Sequence, residues 1–473
     1  MAFLVGGCVR DLLIGLEPKD FDVATDALPE QVKRLFRNCR LVGRRFRLAH
    51  VFFGREIIEV ATFRAASAPD QGEEPLPDAD PEDGEAPELD DPQLEAEALA
   101  APPEENGGET NASAALRRTF SASDPEADTD VLSSERMFDE TGRILRDNVY
   151  GTIDADVWRR DFTANSLYYN IADFSVWDYC GGMEDVRARV LKLIGDPETR
   201  FREDPVRMLR AARFEAKLNF TLDPATAEPI DRLSDLLGGV PPARLFDETL
   251  KLFLGGHGAR SFEVLRERGL LAALLPTVEA YLTRHPGSLV EKLLIQGLKN
   301  TDSRVQADKP VTPTFLFALL LYGPIAGIIE ATPPERWHEL GTILDACDLA
   351  ARQAQTHVAI PKRFTLGVRE MFALQPRLEH PRGRRALRVI EHPRFRAAYD
   401  LLLLRAQYGL APTEMAQWWT RIQEVSPEER GQMADALSSG GHGPRMEGSA
   451  PRSQGSGSGG RRRRRRRRPT GPS

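Results

Sequence analysis

The chain has 473 residues, 41% of them hydrophobic, which is enough for two or three domains and a substantial core. Its four cysteines, Cys8, Cys39, Cys180 and Cys347, form no CxxC pair, which argues against a zinc ribbon or disulfide framework and for a reducing compartment. The net charge of −8 hides a division: residues 65–140 carry 23 acidic side chains against three arginines, and the remainder is basic.

In chain order, Phe3–Val5 reads as a strand ending at Gly6-Gly7, followed by a short helix over Val9–Ile14. A second strand is expected at Phe21–Ala24 and a helix at Pro29–Phe36, with proline in its first turn. Strands follow at Leu48–Phe53 and Ile57–Thr62. Met1–Val5 runs into the glycines with no basic region ahead of it, so no signal peptide is expected.

Residues 65–140 are rich in Pro, Glu, Asp, Ala and Ser and nearly lack aromatics. Such a stretch cannot bury enough apolar surface to offset the entropy of ordering it, so a disordered loop insertion is expected. Order returns near Leu145, with strands expected at Ser166–Ile171, Val176–Tyr179 and Val190–Ile194. From Asp204 to about Gly409 the periodicity is helical. The most apolar run, Phe315–Ile329, is broken by Gly323-Pro324 and is too short to span a bilayer, so a buried helix and turn are expected. The protein is therefore expected to be soluble and cytoplasmic. After about Ser438 the chain is Gly/Ser-rich and reads as a flexible tail ending in arginines.

Three patterns carry chemistry. In Gly6-Gly7-Cys8-Val9-Arg10-Asp11, two glycines between a strand and a helix let backbone N–H groups approach an anion, and Arg10 lies where it could pair with a phosphate. In Asp20-Phe21-Asp22, residues i and i+2 of a strand share a face, and two carboxylates so close call for a cation. Oxygen ligands favour Mg²⁺ or Mn²⁺, which serve in-line displacement at phosphorus. The third pattern joins Arg159-Arg160-Asp161-Phe162-Thr163 to Glu203-Asp204-Pro205-Val206-Arg207. Asp204 suits an N-cap and Pro205 the first helical position. Arg207, Arg210 and Arg213 would then form a cationic face opposite buried Met208, Leu209 and Phe214. A Gly-Gly turn or a lone Asp-x-Asp is by itself more often structural. The ordered set points to catalysis.

Together these residues closely resemble the bacterial poly(A) polymerase and tRNA nucleotidyltransferase family, the class II nucleotidyltransferases, over nearly the whole ordered chain. The resemblance implies an α+β protein. Its nucleotidyltransferase head would have a mixed sheet (1–64 and 141–200) interrupted by the insertion at 65–140. A helical neck (201–265), a helical C-terminal RNA-binding domain (266–437) and a disordered Arg-rich tail (438–473) would follow. It further implies that Gly6, Gly7 and Arg10 hold the triphosphate and that Asp20 and Asp22 hold the catalytic metals. Asp161 would complete the metal cluster or meet the ribose 2′-hydroxyl, and Arg160 would support the nucleotide. Asp204 and Arg207, with Arg210 as a further candidate, would contact the incoming base in place of a template. Cys8 departs from the small residue usual there but should still fit. The family often carries residues before the first strand, which leaves open an incomplete or a naturally short N-terminus.

Within the family, the segments Leu35–His50, Pro241–Phe246, Ile360–Arg363 and His392–Asp400 look more like the poly(A) polymerase branch. The implied reaction is template-independent transfer of AMP from ATP to RNA 3′ ends (mRNA, small RNAs, tRNA) by a monomeric enzyme, promoting mRNA processing and decay. The alternatives are a CCA-adding enzyme and a catalytically silent RNA-binding protein. Arg461, Arg462, Arg463, Arg464, Arg465, Arg466, Arg467 and Arg468 would meet RNA phosphates without sequence preference.

Overall fold

A computed structural model describes residues 1–43, 47–54, 56–64, 137–138, 144–146 and 150–439. The expected disorder of the acidic insertion, residues 137–138 apart, and of the arginine tail lies outside the described residues. Contacts divide the chain into two compact units, Met1–Arg207 with Phe220–Pro229, and Met208–Asn219 with the residues from Ile230 onward.

The first unit is built on a mixed sheet, as the resemblance implied. Its strands are β1 (Ala2–Val5), β2 (Asp22–Thr25), β3 (Cys39–Val42), β4 (Leu48–Phe53), β5 (Glu56–Thr62), β8 (Leu167–Asn170) and β9 (Val176–Asp178), in the order β3-β4-β5-β2-β1-β8-β9. A separate two-stranded ribbon joins β6 (Met137–Phe138) to β7 (Ile144–Arg146). Among the described pairings of this seven-stranded sheet only β2 and β5 run parallel, with Asp22 beside Glu59; β1 and β2 are antiparallel, with Val5 beside Asp22. Alternation decides which face packs. Phe3, Val5 and Ala24 meet Phe63, Val157 and Tyr168 in one core cluster, and Val32, Ala49, Val51 and Val60 form another. Each large apolar side chain so buried contributes about 1.5–3 kcal/mol. Helices α1 (Gly7–Leu13) and α2 (Pro29–Leu35) connect these strands, the second with proline in its first turn as expected.

The second unit is helical, and its helices run past the expected limit near Gly409 to Pro427–Ser439. The apolar run at 315–329 forms two helices, Pro313–Leu320 and Tyr322–Glu330, bent by 43°. Thr312 caps the first, accepting from the Phe315 N–H at 3.4 Å. Pro324 sits in the first turn of the second, where its missing N–H costs nothing. The first helix is mostly buried and the second buries its first turn, Tyr322–Ile325, and among the described residues no single helix is long and apolar enough to cross a membrane.

Candidate active site

The end of β1 sets up the site. Gly6 takes φ 80° and ψ −131°, a region that side chains with a Cβ rarely enter. Its N–H donates to the Leu167 carbonyl at 3.3 Å, and its carbonyl accepts from the Arg10 N–H, opening α1. A Cβ on Gly6 would stand 3.8 Å from Nη1 of Arg160. The glycine turn therefore faces a guanidinium, an arrangement suited to an anion. Cys8 fits beneath, buried, its thiol donating to the Val5 carbonyl at 3.3 Å. Burial, then the charge of Asp22, pushes that thiol up from its ordinary value.

Asp22 opens β2 between Val5 and Glu59. Its strand begins one residue later than the sequence suggested, so exposed Asp20 lies in the segment leading into it. Burial raises the Asp22 carboxyl above its usual range; Glu59 and Asp20 add to this, and Arg160 opposes it. Three carboxylates thus act on one another there, and the like charge needs a cation. Among the described residues, no group of three or more His, Cys, Asp or Glu side chains is placed to hold a metal ion. Sequence reasoning missed Glu59. Its signal was one acid inside the otherwise apolar Ile57–Thr62 strand, legible only once the β2–β5 register is known.

Arg160 is held by a buried network. Its Nε donates to the Tyr168 hydroxyl at 2.7 Å and to Asp156 at 3.1 Å, and its guanidinium lies over the Tyr168 ring. Asp156, 1% exposed, also accepts from Arg159, the Arg64 N–H and the Tyr168 hydroxyl. Burial alone would raise the Asp156 carboxyl, but Arg160, Arg159 and Tyr168 bring it down to about 2. The spacing of Asp156 to Arg159 and Arg160 was a readable helical signal that the sequence analysis did not use.

Arg10, which the resemblance implied would hold the triphosphate, is 1% exposed, and three of its donors meet Asp11 (at 2.8 and 2.5 Å) and Asn165. Here it braces the turn, because burial leaves its charge to be balanced within α1. Asn165 in turn donates to Asp161 at 3.2 Å, and the Phe162 N–H adds 2.8 Å to the same oxygen. Arg207 was expected on a cationic face with Arg210 and Arg213. It is buried, donating to the Arg200 carbonyl at 2.8 Å and to Glu203 at 3.1 Å. Arg200 donates to the carbonyls of Arg159 and Arg160, which ties this cluster to the Arg-Arg-Asp segment. Burial and then Arg207 push the Arg200 guanidinium down to about 10.

Asp204 is half-buried at the C-cap of Pro197–Glu203, its carbonyl accepting from the Arg207 N–H at 3.0 Å. Arg210, in the second unit, stacks on Phe214. Met208, Leu209 and Phe214 are buried as expected. Arg461–Arg468 lie outside the described residues.

A family model described as the poly A polymerase head domain matches residues 2–85 and 106–192. A probable RNA and SrmB-binding site of polymerase A matches 219–282, and the polymerase A arginine-rich C-terminus matches 336–469. Poly(A) polymerase I of Salmonella typhi is 44% identical over 95% of this chain and 85% of its own length. Its namesake in Haemophilus influenzae is 40% identical, covering 91% and 83%. The CCA-adding enzyme of Geobacillus stearothermophilus is 32% identical but covers only 58% of this chain and 50% of its own. Among solved structures, a tRNA nucleotidyltransferase complexed with a primer tRNA and an incoming ATP analog shares the fold. It has a TM-score of 0.51 and 18% identity, and the match covers 90% of this chain and 96% of that one.

Proposed function

The chain belongs to the poly(A) polymerase family of nucleotidyltransferases, and on that premise we propose that Asp20 and Asp22 are the carboxylates at which it joins ATP to RNA. The reaction extends RNA 3′ ends with adenylate: the 3′-hydroxyl attacks the α-phosphate and pyrophosphate leaves. One observation supports the residue assignment: Asp22, at the start of the strand beside the Gly6 turn, feels the charges of Glu59 on the next strand and Asp20 just ahead of it, with Arg160 as the facing cation. Bound at Asp20 and Asp22, Mg²⁺ or Mn²⁺ would activate the attacking hydroxyl and stabilise charge on the departing oxygen.

The chain's own residues then have separate tasks. Gly6 and Gly7 admit the triphosphate to backbone N–H groups, and Arg160 places positive charge beside it. Arg10 and Asn165 hold the glycine turn and Asp161 in one network, so Asp161 is assigned to the ribose side of the nucleotide. Asp204 is assigned to the incoming base, with Arg207 fixing its helix from below and Arg210 a further candidate for that contact. Substrates are RNA 3′ ends of mRNA and small RNAs, and Arg461–Arg468 meet their phosphates.

The test is extension of a labelled RNA by ATP with Mg²⁺. Asp20→Ala and Asp22→Ala should each abolish extension while RNA binding persists, and Glu59→Gln should slow it. Retained extension in either aspartate variant would sink the assignment.

A further inference from the structure

The second unit contains a cavity of about 620 Å³, within the ~300–1,000 Å³ of pockets that take small organic ligands. It is bounded by the end of the helix Leu289–Gln306 and the starts of Pro313–Leu320 and Phe395–Gln407. Its lining includes Arg304, Arg394 and Arg396 against a single carboxylate, Asp400, while Phe315 and Leu403 supply an apolar wall.

The arginines are placed at some cost to the fold. Arg394 is the N-cap of Phe395–Gln407 and Arg396 lies in its first turn, which holds no acidic residue. Positive charge at a helix N-terminus is unfavourable by ~0.3–1 kcal/mol, whereas an anion there is attracted both by the helix and by the arginines. Arg394 pairs with Glu370 at 3.3 Å, both side chains exposed, a pair worth about 0–1 kcal/mol. Arg396 holds the half-buried Asp400 through two contacts, at 3.1 and 3.2 Å. Arg304 donates to the neutral Pro310 carbonyl at 2.9 Å, which fixes its side chain without cancelling its charge.

Cation on one side and apolar wall on the other match the two halves of a nucleotide. A base in a duplex is not available to such a wall, but an unpaired one is, and base–aromatic stacking is worth about 1–3 kcal/mol. The cavity also lies outside residues 219–282, the segment matched by the RNA-binding family model. Pro393–Asp400 belongs instead to a stretch that resembles the poly(A) branch.

We propose that this cavity is a subsite for one nucleotide of the single-stranded RNA substrate, its phosphate on Arg394 and Arg396 and its base against Phe315 and Leu403. This rests on RNA being the substrate.

Two variants of the full chain test it, with binding of a labelled single-stranded oligo(A) measured by fluorescence anisotropy across a salt series. Arg394→Gln with Arg396→Gln should weaken binding about fivefold or more at low salt and flatten the dependence of log affinity on log salt by about one to one and a half. Ala397→Phe, which fills the cavity from its lining, should weaken binding about threefold with the slope unchanged. Parent affinity and parent slope in both variants would overturn the subsite and leave the cavity to another ligand, such as a peptide. Extension by ATP at saturating RNA, run in parallel on the parent, separates this failure from failure of the polymerase reading.

Discussion

Asp22 and Asp156 show how two carboxylates that feel the same arginine, Arg160, take opposite roles. Burial, Glu59 and Asp20 raise the Asp22 carboxyl and Arg160 opposes them, so it gains from an added cation. Asp156 is satisfied by four side-chain and backbone partners and needs nothing further. Its folded value of about 2 lies below the ordinary 3.8, so it contributes stability that is present above pH 3.8 and is lost as pH falls through 2. The shift corresponds to about 2 kcal/mol. Urea unfolding of the protein between pH 5 and 2 should therefore show this loss, and Asp156→Asn should unfold more easily at pH 7 and lack it. An unchanged acid limb in the variant would contradict the network.

At the scale of elements, the motif-bearing strands were readable because β1, β2, β4 and β5 alternate cleanly or end at glycine. β3 was not, since it has four residues, none fully buried, and pairs only with β4. The helix Ile153–Arg159 was also unread: it has seven residues, and what holds it is Asp156 meeting Tyr168 and Arg64, which no local pattern announces. The same reason hid Glu59, which becomes part of the site through sheet register, and the burial of Arg207, which follows from packing against Glu203 and the Arg200 carbonyl. Close packing also fixes the Asp161–Asn165 segment. Gly182 opens the helix Gly182–Ala188, and a Cβ there would stand 2.2 Å from the Thr163 carbonyl oxygen and 2.9 Å from its carbon. Gly182→Ala should therefore cost about 1–3 kcal/mol of stability, read as a lowered melting temperature, and slow extension by moving Asp161. A variant that melts and extends like the parent would show that this contact does not position the site.

For the whole molecule, charge is divided by region: an acidic stretch at 65–140, mildly basic folded parts, and eight consecutive arginines near the end. The arginines would release phosphate counterions whatever the RNA sequence. Deleting Arg461–Arg468 should weaken RNA binding most at low salt and flatten its salt dependence, while unchanged affinity and slope would remove the tail from the RNA contact. The three patterns were legible across this division because each depends on local spacing, and the poly(A) polymerase I relatives extend over 91–95% of the chain. The most direct test of the central claim is incubation of the purified protein with Mg²⁺, a labelled unstructured RNA or a tRNA lacking its CCA end, and each nucleoside triphosphate separately. The account predicts long tails with ATP alone on the unstructured RNA, absent in Asp22→Ala. Addition confined to C, C and A on the tRNA, or no extension at all, would contradict it.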